Sequence, residues 1–269
     1  MLPSIDWTRP WYATVLPARG RLDLQRHTVI EALNLQARAL DLRNPSGLPL
    51  GFVPQADLPE GVAYEEFIGA TGGVPTRDNL HDFFNALVWL TFPLIKRQLN
   101  ALQAAQIALS GVGKSRGPAR DGATIFDENS ALLVLRDSDS GRALETALRG
   151  HDWHGVFVAQ RDKFAVDGDA DVWLFGHALM EKLVAPYKAI TAHTRVVFAG
   201  DAYFALDEMA RRAWLDEQVA KDLARQGLTT ADFTPLPVLG IPGWSEQQDQ
   251  AFYDDTAVFR PKRKPSNDN

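Results

Sequence analysis

The sequence predicts an α+β fold, in which a small mixed β-sheet is packed by several helices. Two observations predict it: amphipathic segments of helical period alternate with short apolar runs of strand length, and a segment dense in proline and aromatic residues follows them. The 269 residues, of which 45% are hydrophobic, suffice for a sizeable core. We expect one globular domain over residues 1–261, with an N-terminal arm at 1–20, and a disordered basic and polar tail at 262–269.

The helices are expected to begin near residues 23, 78, 177 and 206, where apolar residues recur with a period of 3.6. Thr76 or Asp78 is the expected cap of the second of these helices. Pro93 lies inside its pattern and should kink it or divide it in two.

Strands are expected near 123–135, 155–159, 172–176 and 195–198, where apolar and β-branched residues form short runs. The first of these regions reads as a hairpin turning at residues 127–130. Tyr64–Ala70 reads as a further short strand. Residues 44–59 should form a loop, and the segment TPLPVLGIPGW should be an irregular wrap over the core.

Composition excludes several classes of function. The net charge is −6, without a basic stripe, so no nucleic-acid partner is expected. The chain has no cysteine, which excludes disulfides and thiolate zinc sites. The longest apolar run, 86–95, is far shorter than the ~20 residues of a membrane span, and the N-terminus is unlike a secretory signal. A cytoplasmic protein without a membrane partner is expected.

The sequence ALSGVGKS at 108–115 satisfies a loose phosphate-loop pattern. That loop requires a buried strand before it and a helix after it. Here a helix is expected before it, and Gly117-Pro118 follows. Nucleotide binding at Gly113-Lys114-Ser115 is therefore not expected.

A polar stripe marks the helix expected near residue 78. Asp78, His81, Asp82 and Asn85 recur at offsets of 3, 4 and 7, which stacks them on one helical face. In a functional interpretation His81 is a general base or metal ligand, a neighbouring carboxylate orients it, and Asn85 holds substrate. In the alternative, the stripe is a capped helix start with a satisfied histidine.

A second cluster follows the Gly-Pro pair. Arg116 and Arg120 suit the capture of a carboxylate or phosphate, with Asp121, Asp127 and Glu128 beside them. A polar hairpin turn with surface salt bridges explains the same residues equally well.

His177 stands where a strand is expected to run into a helix, and Glu181 lies one turn later on the same face. This pair suits a metal site or acid–base chemistry, and a simple i,i+4 hydrogen bond is the alternative. The candidate catalytic residues are His81, Asp82, His177 and Asp121. The candidate substrate-binding residues are Asn85, Arg116, Arg120, Asp127 and Glu128. The candidate ligands of a divalent metal are His81, His177 and Glu181.

The segments PTRDNLHDFFNALVWLTFP, RGPARD with TIFDE after it, HDW, FGHALMEK, TPLPVLGIPGW and FYDDTAVFRP carry a family resemblance. Together they resemble a bacterial family known as domain of unknown function 3025. The resemblance runs from about Val74 to Pro261, and it implies that these segments belong to one domain. It implies no activity, fold or cofactor.

Three hypotheses follow. In the first, the protein is a hydrolase- or transferase-type enzyme with a cleft of His, Asp, Asn and Arg, assisted by a divalent metal or not. In the second, it is a noncatalytic binding protein for a small anionic metabolite or a protein partner. In the third, the polar residues are a purely structural core network. The sequence leaves the oligomeric state open.

Overall fold

A computed structural model describes residues 5–110 and 118–262. The fold is α+β, as predicted. The helices are α1 (Leu16–Gly20), α2 (Val29–Ala39), α3 (Tyr64–Thr71), α4 (Leu80–Thr91), α5 (Pro93–Ser110), α6 (Pro118–Asn129), α7 (Asp139–Gly150), α8 (His177–Lys182), α9 (Asp201–Phe204), α10 (Glu208–Gln226) and α11 (Gln250–Tyr253). The strands are β1 (Gly51–Pro54), β2 (Gly73–Thr76), β3 (Ser130–Arg136), β4 (Ala170–Leu174), β5 (Thr191–Ala199) and β6 (Thr234–Pro237).

The chain forms two compact units, each assembled from three separate segments. The first unit comprises Met1–Ser130, Leu174–Val184 and Leu206–Asp232, and the second comprises Ala131–Trp173, Ala185–Ala205 and Phe233–Asn269. A parallel pair of strands, β1 and β2, belongs to the first unit. The second unit holds a four-stranded sheet of order β4-β3-β5-β6, apart from the terminal residues Ser130 and Leu174.

α4 and α5 form the centre of the first unit. Every residue of α4 from Asp82 to Thr91 is buried, which fits its apolar sequence. α4 ends at Thr91 and α5 begins at Pro93, so the proline divides the helix as predicted. The predicted cap was wrong, because Asn79 caps α4 and its Oδ1 accepts a hydrogen bond of 2.8 Å from the Asp82 amide.

Two regions expected to be strands are helices of the first unit. Tyr64–Thr71 is α3, with Glu65 and Glu66 in its first turn, where they favour a helix start, and Gly72 in the left-handed conformation at its end. Pro118–Asn129 is α6, so the hairpin predicted at 123–135 was wrong in its first half. Only the second half of that region is a strand, β3.

Of the three remaining strand predictions, two are confirmed and one is wrong. The strands expected near 172–176 and 195–198 are present as β4 and β5. Residues 155–159, in contrast, form a helical turn. Three strands lie in regions that were not expected to be strands: β1 in the loop, β2 in the turn and β6 in the wrap. Proline and glycine in these segments indicated irregular structure, although both residues also occur in short edge strands.

Four predictions fall at least partly on residues that the structure does not describe. These are the first four residues of the N-terminal arm, the phosphate-loop residues Gly113-Lys114-Ser115, the anion-binding Arg116, and the C-terminal tail beyond residue 262. Within the described ranges, no helix is both long and apolar enough to cross a membrane.

Candidate functional site

The centre of the site is a pair of histidines in the first unit. His81 lies in the first turn of α4, and His177 is the first residue of α8. Their Nε2 atoms are 3.0 Å apart, and their rings cross at 80° with centroids 4.5 Å apart. The structure therefore brings together the two histidines that the sequence placed in separate clusters.

Gly176 allows His177 to reach this position. A Cβ atom at residue 176 would lie 2.4 Å from the backbone nitrogen of Ser130 and 2.6 Å from the carbonyl oxygen of Glu128. Only glycine fits there without a backbone shift. The start of α8 can consequently lie directly against the end of α6, the helix that carries Asp127.

Each histidine has a carboxylate on the side of its other ring nitrogen. Nδ1 of His81 lies 3.0 Å from Oε2 of Glu181, and Nδ1 of His177 lies 3.8 Å from Oδ2 of Asp127. The His81 and Glu181 side chains are 36% and 39% exposed, whereas those of His177 and Asp127 are 5% and 11% exposed. The four groups thus form a row that runs from solvent into the protein interior.

The buried half of the row is electrostatically constrained. The pKa of His177 is lowered to about 4, chiefly by burial; the charge of Asp127 opposes this effect and the charge of Lys96 adds to it. His177 is therefore neutral near pH 7. Burial acts to raise the pKa of Asp127, but Lys96 and His177 outweigh it, so the pKa lies below its usual value and Asp127 is charged.

Lys96 of α5 joins this row to a further set of polar side chains. Its Nζ donates to Oδ1 of Asp127 at 2.5 Å and to Oδ1 of Asn85 at 2.8 Å. Nδ2 of Asn85 in turn donates to the hydroxyl of Tyr64 at 3.0 Å. Burial raises the pKa of Tyr64 well above its ordinary value, so that hydroxyl stays protonated.

Glu65 interacts with the network through its charge. Burial raises its pKa, and so does the charge of Asp127. Nδ2 of Asn100 donates to its Oε2 at 2.6 Å. The network therefore runs from the half-exposed Glu181 to Tyr64, with Glu65 acting on it through charge, entirely within the first unit.

Hydrogen counting indicates what the histidine pair can bind. The Glu181 carboxylate favours a proton on Nδ1 of His81, and the Asp127 carboxylate favours one on Nδ1 of His177. Two neutral rings in these tautomers face each other with unprotonated Nε2 atoms. One further cation between these atoms would bridge the two rings, and that cation is either a proton or a metal ion. Nδ1 of His177 is buried without a hydrogen-bond partner, because the Asp127 carboxylate lies 3.8 Å away.

The other residues predicted for the site lie apart from the pair. Asp82 accepts hydrogen bonds from the backbone amide, Nε and Nη2 of Arg77, so its carboxylate orients that arginine. Arg120, Asp121 and Glu128 all lie on α6, and in the described chain no hydrogen bond or ion pair joins them to either histidine. Their predicted roles stay predictions.

The predicted metal ligands are only partly convergent. Glu181 contacts Nδ1 of His81, on the other side of the ring from the Nε2 that faces His177. Glu181 is therefore placed to orient a ligand and is not placed to share one ion with both histidines. Among residues 5–110 and 118–262, no group of three or more His, Asp or Glu side chains is placed to hold a metal ion.

Sequence reasoning missed Lys96, Tyr64 and Glu65. A signal for Lys96 exists, because the buried positions of α5 follow a helical period that includes polar residues. These positions are Ile95, Lys96, Leu99, Asn100, Gln103 and Ile107. A lysine on the apolar face of a helix indicates a buried partner of opposite charge. Tyr64 and Glu65 were assigned to a strand, which concealed their common position at the start of α3.

The family model described as a protein of unknown function (DUF3025) matches residues 50–263. The chain belongs to this family. The part of the chain that matches DUF3025 contains every residue of the network, from Tyr64 to Glu181. No curated protein and no solved structure matches the chain.

Proposed function

We propose that the protein is an acid–base enzyme of hydrolase or transferase type, and that His81 and His177 together accept the proton of an attacking water or hydroxyl group. The observation that carries this proposal is the 3.0 Å separation of two Nε2 atoms on rings that each have a carboxylate behind them. General acid–base catalysis needs a group that changes protonation near neutral pH and is reachable from solvent. The half-exposed His81 meets the second requirement.

The proton step balances within the row. The O–H bond of water or a substrate hydroxyl breaks, its electron pair stays on oxygen, and an N–H bond forms at Nε2 of His81. The new imidazolium donates from Nδ1 to Glu181 and from Nε2 to His177. Nδ1 of His177 faces the Asp127 carboxylate at 3.8 Å, where the negative charge favours the proton without a direct hydrogen bond. Lys96 keeps Asp127 charged and in place. The proton is returned to the leaving group by the reverse path.

A divalent metal ion between the two Nε2 atoms is the second candidate. Histidines that bind metals usually donate the other ring N–H to a carboxylate, which is the arrangement seen here. Ligand bonds of about 2.0–2.1 Å would require the Nε2 atoms to separate by only a few tenths of an ångström. Water or substrate would have to complete the coordination.

We also propose a cytoplasmic location, which the sequence predicts.

Turnover of generic substrates tests the acid–base proposal. Wild type is assayed with chromogenic carboxylic esters, phosphate esters and amides, beside His81→Gln and His177→Gln. His154→Gln is the matched control, because His154 pairs with Asp254 at 3.0 Å on the surface of the second unit. We expect losses of roughly 100-fold or more in the two site variants and none in the control. Full activity in His81→Gln would refute the proposal.

Thermal melts with Zn²⁺, Mn²⁺ and Mg²⁺ distinguish a metal ion between the two Nε2 atoms from a proton shared by them. Stabilisation of wild type and His154→Gln, but of neither site variant, would establish a metal between the histidines. The structural alternative predicts a third pattern, in which site variants change stability while no substrate is turned over and no metal binds.

A further inference from the structure

A cavity of about 660 Å³ lies beside the start of α4 in the first unit. Arg77 and Asp78 line one part of it, and residues at the start of α2 line another. The lining residues before and within α2 are Leu24, His27, Thr28, Val29 and Ile30. The volume falls in the range of pockets that bind small molecules. None of the residues of the histidine row lines this cavity, so the inference does not depend on the proposed function.

Arg77 is held in one orientation. The buried Asp82 accepts from its backbone amide at 2.6 Å, from Nε at 2.9 Å and from Nη2 at 2.9 Å. These bonds use one edge of the guanidinium, and a guanidinium has five N–H donors in a rigid fork. The outer edge, formed by Nη1 and the second hydrogen of Nη2, keeps three donors. The Arg77 side chain is 56% exposed, so a ligand can reach that edge.

An oriented guanidinium edge matches a carboxylate in geometry, because two parallel N–H groups can meet its two oxygens. Fixing the side chain in advance also reduces the entropy that a ligand must overcome on binding. Asp82 therefore acts as a positioning residue for Arg77. This carboxylate of the polar stripe thus binds Arg77.

The other residues that line the cavity determine which ligand body and which ligand charge it favours. Leu24, Val29 and Ile30 give the cavity half-buried apolar side chains, which favour an aliphatic body. Asp78 in the lining and Asp82 behind Arg77 add two carboxylates near the anion position. Their repulsion disfavours a dianion such as a phosphate monoester relative to a monoanion.

We propose that this cavity binds a small aliphatic monocarboxylate, with its carboxylate on the outer edge of Arg77 and its chain against Leu24, Val29 and Ile30. A six-carbon acid is the appropriate probe, because its chain is long enough to contact the apolar side chains.

Calorimetric titration of the full chain at pH 8 tests the proposal, with hexanoate, hexanamide, hexyl phosphate and acetate as probes. We expect saturable binding of hexanoate, about tenfold or more tighter than that of each of the other three. Hexanamide lacks the charge, hexyl phosphate carries a second charge, and acetate lacks the chain. Equal binding of hexanamide, or no saturable binding of hexanoate, overturns the proposal.

Substitutions of residues that line the cavity test whether hexanoate binds there. Arg77→Lys keeps a positive charge for Asp82 and removes the planar outer edge, so hexanoate binding should weaken about tenfold or more. Leu24→Asp leaves the Arg77–Asp82 pair intact and should weaken hexanoate binding by a similar factor. This second variant keeps the test decisive if Arg77→Lys fails to fold. Arg26→Gln is the matched control, because this exposed arginine does not line the cavity. Unchanged hexanoate binding in Leu24→Asp, or an equal loss in Arg26→Gln, overturns the assignment to this cavity.

Discussion

A buried lysine is stable in a protein only when a partner compensates the loss of its hydration. Lys96 is 4% exposed, and its ammonium group finds Asp127 at 2.5 Å and Asn85 at 2.8 Å. The ammonium group also lies 5.2 Å from the centroid of the Trp89 ring, where the ring face attracts a cation. The charge of Lys96 keeps Asp127 ionised beside the inner histidine.

Replacing Lys96 by methionine should therefore destabilise the protein strongly. It leaves Asp127 buried without a compensating charge, which costs about 3–5 kcal/mol. Adding Asp127→Asn to Lys96→Met should recover part of that loss, because the uncompensated charge is then gone. Chemical denaturation of the two single variants and the double variant measures the coupling.

The control for this experiment is an exposed ion pair. Lys221 and Glu217 meet at 2.6 Å, and both side chains are 58% exposed. Lys221→Met should cost less than about 1 kcal/mol, because solvent screens the pair. If Lys96→Met cost no more than Lys221→Met, the network would not have the energetic role assigned to it.

At the scale of elements, the close approach of α8 to the end of α6 positions the histidine pair. Gly176→Ala places a methyl group against the Ser130 nitrogen and Glu128 oxygen, so the backbone must move. We expect a loss of stability of about 1–3 kcal/mol or more. The Nε2 atoms of His81 and His177 should also separate, which histidine NMR shifts would report.

Gly150→Ala is the matched control for that substitution. Gly150 ends α7, and a Cβ there meets nothing within 4 Å. Alanine should be neutral or stabilising by up to about 1 kcal/mol. Equal effects of the two substitutions would contradict the steric account of Gly176.

The elements that the sequence predicted well are those in which local signals agree with the tertiary structure. α10 has a mixed charged face and ends at Gly227, and α4 has a continuous apolar stripe and a proline at its end. α6 was mistaken for a hairpin because Asp127, Glu128 and Asn129 resemble a turn. Its buried residues nevertheless follow a helical period: Gly122, Ala123, Phe126 and Asp127. Asp127 occupies a core position because Lys96 neutralises it, a pairing that local sequence does not reveal.

The site was predictable to a similar degree. His81, Asn85, His177 and Glu181 were selected because polar residues in apolar segments indicate either a site or a network. Asp127 was selected because it follows the arginines of the second cluster. The contacts between them could not be predicted, because α4, α6 and α8 are far apart in the chain and their proximity depends on the tertiary fold. Asp82 shows the reverse case, since its position beside His81 suggested an orienting role while its side chain orients Arg77.

At the scale of the whole molecule, the first unit depends on sequence from three separate segments. Residues 1–130 contain α1 to α6 but lack α8 and α10. Asp216 of α10 accepts from the backbone amides of Leu94 and Ile95, which satisfies the start of α5. A chain of residues 1–130 should therefore lack cooperative unfolding. Calorimetry beside the full chain tests this, and a sharp transition in the fragment would contradict it.

The same unit contains two buried groups whose effects on pH stability oppose each other. Burial lowers the pKa of His177 to about 4 from 6.5, and burial raises the pKa of Asp216 to about 7 from 3.8, against the amides of Ile95 and Leu94. Between about pH 4 and 6.5 the unfolded state binds more protons at His177, so stability from this group falls as pH falls. At Asp216 the folded state binds more protons over about the same range, so stability from this group falls as pH rises.

In the wild-type protein the contributions of these two groups to the slope should nearly cancel, whereas each single substitution should expose the contribution of the other group. His177→Gln should make stability fall with rising pH between about 4 and 6.5, relative to wild type, by up to about 1.4 kcal/mol per pH unit. Asp216→Asn should change the slope by a similar amount in the opposite direction. The double variant should return to a slope near that of wild type, because neither group is among the charges that shift the pKa of the other. Denaturant titrations at half-unit pH steps measure these slopes. Slope changes of the same sign in both single variants would show that burial does not control the protonation of these two groups.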